Sequence, residues 1–184
     1  MAARVAPLSR LLSRLLGRGV LPADFPATLD AEEHVLAAAA LSDGGHVVAT
    51  SLGLWLPEGR HVVRVGWHLV SKATWANGTL SIVVADETGR AGEAVLLADR
   101  PPRRLRLAKA GKLPEVVHQR VIGSIRSRHH HELPGGGAWF VQRKVPGQDG
   151  VVLQVRPDPG TDAETLGRVA GEVAARLRLA RPPS

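Results

Sequence analysis

The spacing of apolar positions changes twice along this chain. Leu8, Leu11, Leu12, Leu15 and Leu16 share one helical face while Arg10, Arg14 and Arg18 recur every four residues on another, which predicts a short amphipathic helix with a basic edge. Gly17, Gly19, Pro22 and Pro26 then interrupt the chain, so residues 1–26 read as an arm and linker. Past the linker the period shortens. The runs 34–41, 46–51, 52–56, 61–70, 79–85 and 94–98 are short and β-favouring, with DGG, PEG, NG and TGRAG between them, which predicts an antiparallel meander. Asn77-Gly78 is the strongest turn signal, because both residues accept the positive φ of a two-residue type I′ hairpin. In 103–108 Arg104 and Arg106 alternate with Leu105 and Leu107, so one face of that strand is charged and the other is buried.

The period becomes helical again from Leu113 to about His129, with Leu113, Val116, Val117, Val121 and Ile125 inward and Pro114 in the first turn. A second hairpin follows, AWFVQRKV to VVLQVR, closed by PGQDG. The last helix is expected from Thr161, with a Thr161–Glu164 capping box, an inward stripe of Leu166, Val169, Ala170, Val173, Ala174 and Leu177, and Glu164–Arg168 and Glu172–Arg176 pairs outside. The expected fold class is α+β: six or seven strands in a small antiparallel barrel closed by a helix, with a C-terminal hairpin and helix and the N-terminal amphipathic helix. The division is 1–26 arm and linker, 27–132 barrel with closing helix, and 133–184 hairpin and helix packed on the same domain.

Composition narrows the function classes. The 184 residues include no Cys, which removes disulfides, thiolate chemistry and Cys-ligated zinc. No apolar run approaches the ~18 residues of a spanning helix, and the arm lacks the uninterrupted apolar core and small-residue cleavage site of a secretory signal, so a cytoplasmic location is expected. The net charge is +7, and the acid-free stretch before Asp24 contributes four positive charges through Arg4, Arg10, Arg14 and Arg18. Such an excess attracts phosphate polymers and anionic lipid, and an arginine-, alanine- and glycine-rich coding bias produces it equally well.

The segment GGHVVATSLGLWLPEGRHVVRVGWHLVSKATW carries a Thr-bearing strand, a small residue leading into an apolar strand, and a W-x-x-V phrase before a turn. At Thr50, Gly53, Leu54, Trp67 and Val70 it resembles the bacterial pleckstrin-homology-like domains, of the type found in actinobacterial proteins. The resemblance covers roughly residues 30–130. It implies a curved barrel of about seven strands with one end closed by a helix, which the stretch from Leu113 to His129 would supply. It further implies a module that binds peptides, partner proteins or lipids and seldom catalyses a reaction.

Three stretches are candidates for chemistry. In RSRHHHELPGG, adjacent helical residues point about 100° apart, so His129, His130 and His131 cannot all face one ion while helical. Glu132 follows without the second histidine that HExxH requires. The run reads as a helix C-terminal cap; no metal is expected, with His129 and His131 the pair to test if the segment unwinds. In 100–112, Arg100, Arg103, Arg104, Arg106, Lys109 and Lys112 stand without an acid, as either a phosphate-binding patch or a solvated, charge-protected edge strand. The arm, with Arg10, Arg14 and Arg18, suits a membrane surface or a protein groove. Trp55, Trp67, Trp75 and Trp139 read as core or rim packing.

No phosphate-cradling loop, dinucleotide fingerprint or nucleophile elbow occurs, so no enzyme and no cofactor is expected. The expected function is a noncatalytic module recognising a protein partner, with its basic helix available to an anionic membrane. The runner-up is nucleic-acid binding through the arm and 100–112, and a homodimer is open.

Overall fold

The computed structural model describes residues 19–179, apart from the Leu179 side chain. They form a mixed α+β structure in which strands predominate. The first sheet is the antiparallel meander β1 (Val35–Ala40), β2 (His46–Thr50), β3 (Gly53–Glu58) and β4 (His61–Gly66). A 3-10 turn, Trp67–Leu69, leads into β5 (Val70–Ala76), β6 (Thr79–Ala91), β7 (Ala94–Asp99) and β8 (Arg103–Arg106). Helix α1 (Leu113–Ser124) follows, then β9 (Ile125–Leu133), β10 (Gly136–Arg143), β11 (Val152–Pro157) and helix α2 (Ala163–Leu179). The second sheet runs β5-β6-β7-β11-β10-β9, with β8 also on β6.

Strand β6 is shared by two packed units. Its first half pairs with β5 on one side and with β8 on the other; its second half pairs with β7. Pro101 and Pro102, which cannot donate to a ladder, separate β7 from β8, so the two are one strand line interrupted beside β6. A Leu41–Leu107 bridge ties the first sheet to β8. Leu54, Leu56, Trp67, Val70, Leu80, Ile82, Leu105, Leu113 and Val117 fill one core beneath α1. Ala94, Phe140, Leu153, Val155, Leu166 and Ala170 fill a second core beneath α2.

The Asn77-Gly78 hairpin forms as expected, with φ of 49° and 74°, and the charged face of β8 lies outward with Leu105 buried. Other expectations are corrected. The run 61–70 breaks because Trp67 turns inward, its indole N–H donating to the Thr50 carbonyl at 3.0 Å. The helix expected to His129 stops at Ser124, whose hydroxyl returns to the Val121 carbonyl at 2.7 Å. Residues 125–133 then pair with β10. The Leu-Pro-Gly-Gly stretch is therefore a hairpin turn, with Gly135 at φ 81°, instead of a helix stop. Among the described residues eight strands precede α1 where six or seven were expected, β9 adds a third strand to the expected C-terminal hairpin, and β11 lies parallel to β7.

Helix α2 is capped by Asp162, which accepts the Thr165 N–H at 2.8 Å. The Thr161 hydroxyl is drawn instead to the Gly137 carbonyl at 2.6 Å. The i, i+4 ion pair that forms is Arg168–Glu172 at 2.9 Å.

Candidate binding surfaces

The residues carrying the pleckstrin-homology-like resemblance are fully buried and serve the fold. The Thr50 hydroxyl donates to Glu33 and accepts the Gly53 N–H at 3.1 Å. A Cβ on Gly53 would lie 2.4 Å from the Val65 carbonyl oxygen, so only glycine lets β3 approach β4 there. Leu54, Trp67 and Val70 are core side chains.

Glu33 is a further residue of this cluster. Its carboxylate is inaccessible and also accepts from the Trp55 indole at 2.9 Å and from Arg64 at 2.7 Å. Burial alone would raise its pKa, but the bonds from Thr50, Trp55, Arg64 and the Asp30 N–H more than offset it and hold the carboxyl below its ordinary value. The strand alternation that buries Val35, Ala37, Ala39 and Leu41 also points Glu33 inward, which is the one signal that could have located it.

A second buried polar cluster joins the two units. Arg143 is 1% exposed and donates through Nη1 to the carbonyls of Trp67 and Val70, both at 2.9 Å, and to the Ser124 hydroxyl at 3.2 Å. Beside it the Gln154 side chain donates to the His68 carbonyl at 2.8 Å. Burial, reinforced by the Arg156 charge and opposed by Asp99, pushes Arg143 down to about 10. Burial, then Arg143, hold the His68 imidazole below its ordinary value. No sequence pattern marks Arg143, since it ends an otherwise amphipathic hairpin strand.

The basic segment 100–112 divides. Arg100 grips the Asp86 carboxylate through two bonds of 2.7 and 2.6 Å, and Arg103 donates to the Pro57 carbonyl. Arg104 and Arg106 lie exposed on β8 opposite Ser81 and Thr79, and Lys109 and Lys112 are exposed before α1. Four cations thus remain outward. Arg10, Arg14 and Arg18 lie outside the described residues.

The three histidines stand on a strand, not at a helix terminus. His129 pairs across the ladder with Phe140; the His131 ring meets Phe140 edge-on, with centroids 4.8 Å apart. His130 faces the other way, against Trp139 and 2.7 Å from Asp158. Among the described residues no three metal-ligating side chains converge.

Of the tryptophans, Trp67 is buried, whereas Trp75 and Trp139 are 42% and 38% exposed. Trp75 borders a groove of about 620 Å³ between β5 and the first turns of α1, lined by Ala73, Leu80, Ala110, Pro114, Glu115 and His118. In the sheet order β5 is terminal, so its outer edge has no strand partner among the described residues. Among the described residues no helix is long and apolar enough to cross a membrane. No protein-family model, curated protein or solved structure matches the chain.

Proposed function

We propose that this protein is a noncatalytic binding module of pleckstrin-homology-like architecture that recognises an extended segment of a protein partner in the groove between β5 and α1. The observation carrying this reading is the coincidence of an unpaired strand edge, an apolar floor and an exposed tryptophan in one groove. An extended peptide satisfies the open backbone groups of an edge strand while its alternate side chains enter the groove beneath. The four-stranded meander, the three strands β5, β6 and β8, and a helix over their common core support the architectural part of the proposal. Glu33 and Arg143 are committed to internal bonds, which favours binding over catalysis.

The test is selection of binders from a random peptide library, followed by backbone amide shift mapping. Bound peptides should perturb Ala73–Trp75 and Pro114–His118, and Trp75→Ala should abolish the binding. Selection of no peptide, or shifts confined to another face, ends the proposal. The arm adds a second contact, to an anionic membrane at its cytoplasmic face: removing residues 1–18 should abolish retention on phosphatidylserine vesicles and leave peptide binding unchanged.

Nucleic-acid binding is the second reading, favoured by the outward set Arg104, Arg106, Lys109 and Lys112. Phosphate contacts of that number predict an affinity that falls steeply with salt. A flat salt series with duplex and single-stranded DNA and RNA removes it.

A further inference from the structure

Strand β9 closes the far end of the second sheet, and its outer edge has no partner among the described residues. It is nine residues long, IRSRHHHEL, and all but Ile125, Ser127 and Leu133 are exposed. An edge of that length exposes a row of backbone donors and acceptors, and charged side chains ordinarily keep such an edge from pairing. Protection works when the charges repel a second copy in every register. Here they do not.

We infer that β9 pairs antiparallel with β9 of a second copy, about a two-fold axis through His129. In that register Arg126 faces Glu132 of the second copy and Glu132 faces Arg126 of the second copy, forming two opposite-charge pairs on one face of the extended sheet. Arg128 faces His130 of the second copy, and the Asp158 carboxylate stands 2.7 Å behind that ring. On the other face Ser127 faces His131 and His129 meets its own copy. Direct cross-strand pairs of opposite charge stabilise a ladder, and like charges in the same places weaken it. The pairing is isologous, as a closed two-fold dimer requires. The ladder's regular centre is Ser127–His131, because the register on β10 slips at Arg126, between Gln142 and Arg143. A strand-to-strand contact of this length is small beside the ~1,200 Å² of a stable interface, so the dimer should dissociate on dilution through the micromolar range. This surface is separate from the β5 groove.

Sedimentation velocity of the full chain over a concentration series tests the inference. The wild type should pass from monomer to dimer, Arg126→Glu and Glu132→Arg should each raise the dissociation constant about tenfold or more, and the double exchange should restore it. Amide hydrogen exchange should show Ser127–His131 becoming protected as concentration rises, a readout that needs no variant. A wild type that stays monomeric, a dimer indifferent to the single reversals, or a double variant no tighter than the singles overturns the inference; each would assign β9 to ordinary edge protection.

Discussion

Glu33 and Arg143 are both closed off from water, but the molecule satisfies them in opposite ways. Glu33 has a cation, Arg64, together with three further donors. Arg143 has no carboxylate against it and is held by two backbone carbonyls and a hydroxyl. The difference follows from where each sits. Glu33 lies just before β1, against the first sheet, where β3 and β4 bring Trp55 and Arg64 into cross-strand register and Arg64 reaches from the surface. Arg143 lies between the two units, at the 3-10 turn where the ladder breaks and the Trp67 carbonyl already accepts the Val70 N–H. A long cation from β10 adds a second donor to the Trp67 carbonyl and one to the Val70 carbonyl. The first device closes a sheet; the second fastens one unit to another.

The sharpest way to break this comparison is Arg143→Met, which removes the cation and its bonds to the Trp67 and Val70 carbonyls and the Ser124 hydroxyl. It should cost about 3 kcal/mol in urea denaturation. A loss below about 1 kcal/mol would mean that water replaces the guanidinium and that the joint rests on apolar packing. Glu33→Gln should cost less, about 1–2 kcal/mol, since the amide oxygen still accepts from Thr50 and Trp55, while the bonds from Arg64 and the Asp30 N–H lose their acceptor. A larger loss than that of Arg143→Met would reverse the ranking.

Acid should separate the two regions along the pH axis. The His68 pKa is depressed in the folded state, so the unfolded chain takes up its proton first, and stability falls as pH drops below the ordinary histidine value near 6.5 towards the lower folded value. The Glu33 pKa is also depressed; its contribution is complete above the ordinary value of about 4.5 and is lost as pH falls further through the folded value. Stability against pH should therefore show two declines; His68→Gln should remove the upper one and Glu33→Gln should shrink the lower, to which Asp86 and Asp162 also contribute. The smallest change expected is for Ser71→Ala. The Ser71 hydroxyl donates to Asp99, which lies 3.4 Å from Arg156 at the margin of the joint. At this exposed site the loss should stay within about 0.5 kcal/mol.

These two clusters also bear on where function can reside. Both use their polar groups inside the fold, and Arg100 and Arg103 are likewise engaged. Among the described residues the uncommitted groups lie on the strand edges of β5 and β9 and on the outward cations Arg104, Arg106, Lys109 and Lys112. The resemblance residues Thr50, Gly53 and Trp67 serve the fold itself: Thr50 and Trp67 are buried, and Gly53 lets β3 and β4 approach.

Local spacing in the sequence determined most of the elements. The alternation in β1, β2 and β8, the Asn77-Gly78 turn, the second hairpin and both helical stripes are readable because each depends on neighbours a few residues away. The split of the basic segment, the strand at His129–His131 and the site at Arg143 are not, for a common physical reason. A histidine run followed by Leu-Pro-Gly-Gly satisfies the local conditions of a helix end and of a hairpin equally well, and pairing along β10 decides between them. An arginine that ends a strand is surface or core according to the carbonyls packed against it from some seventy residues away. Composition and period carry local preference; only the assembled sheets settle which groups are left open to a partner.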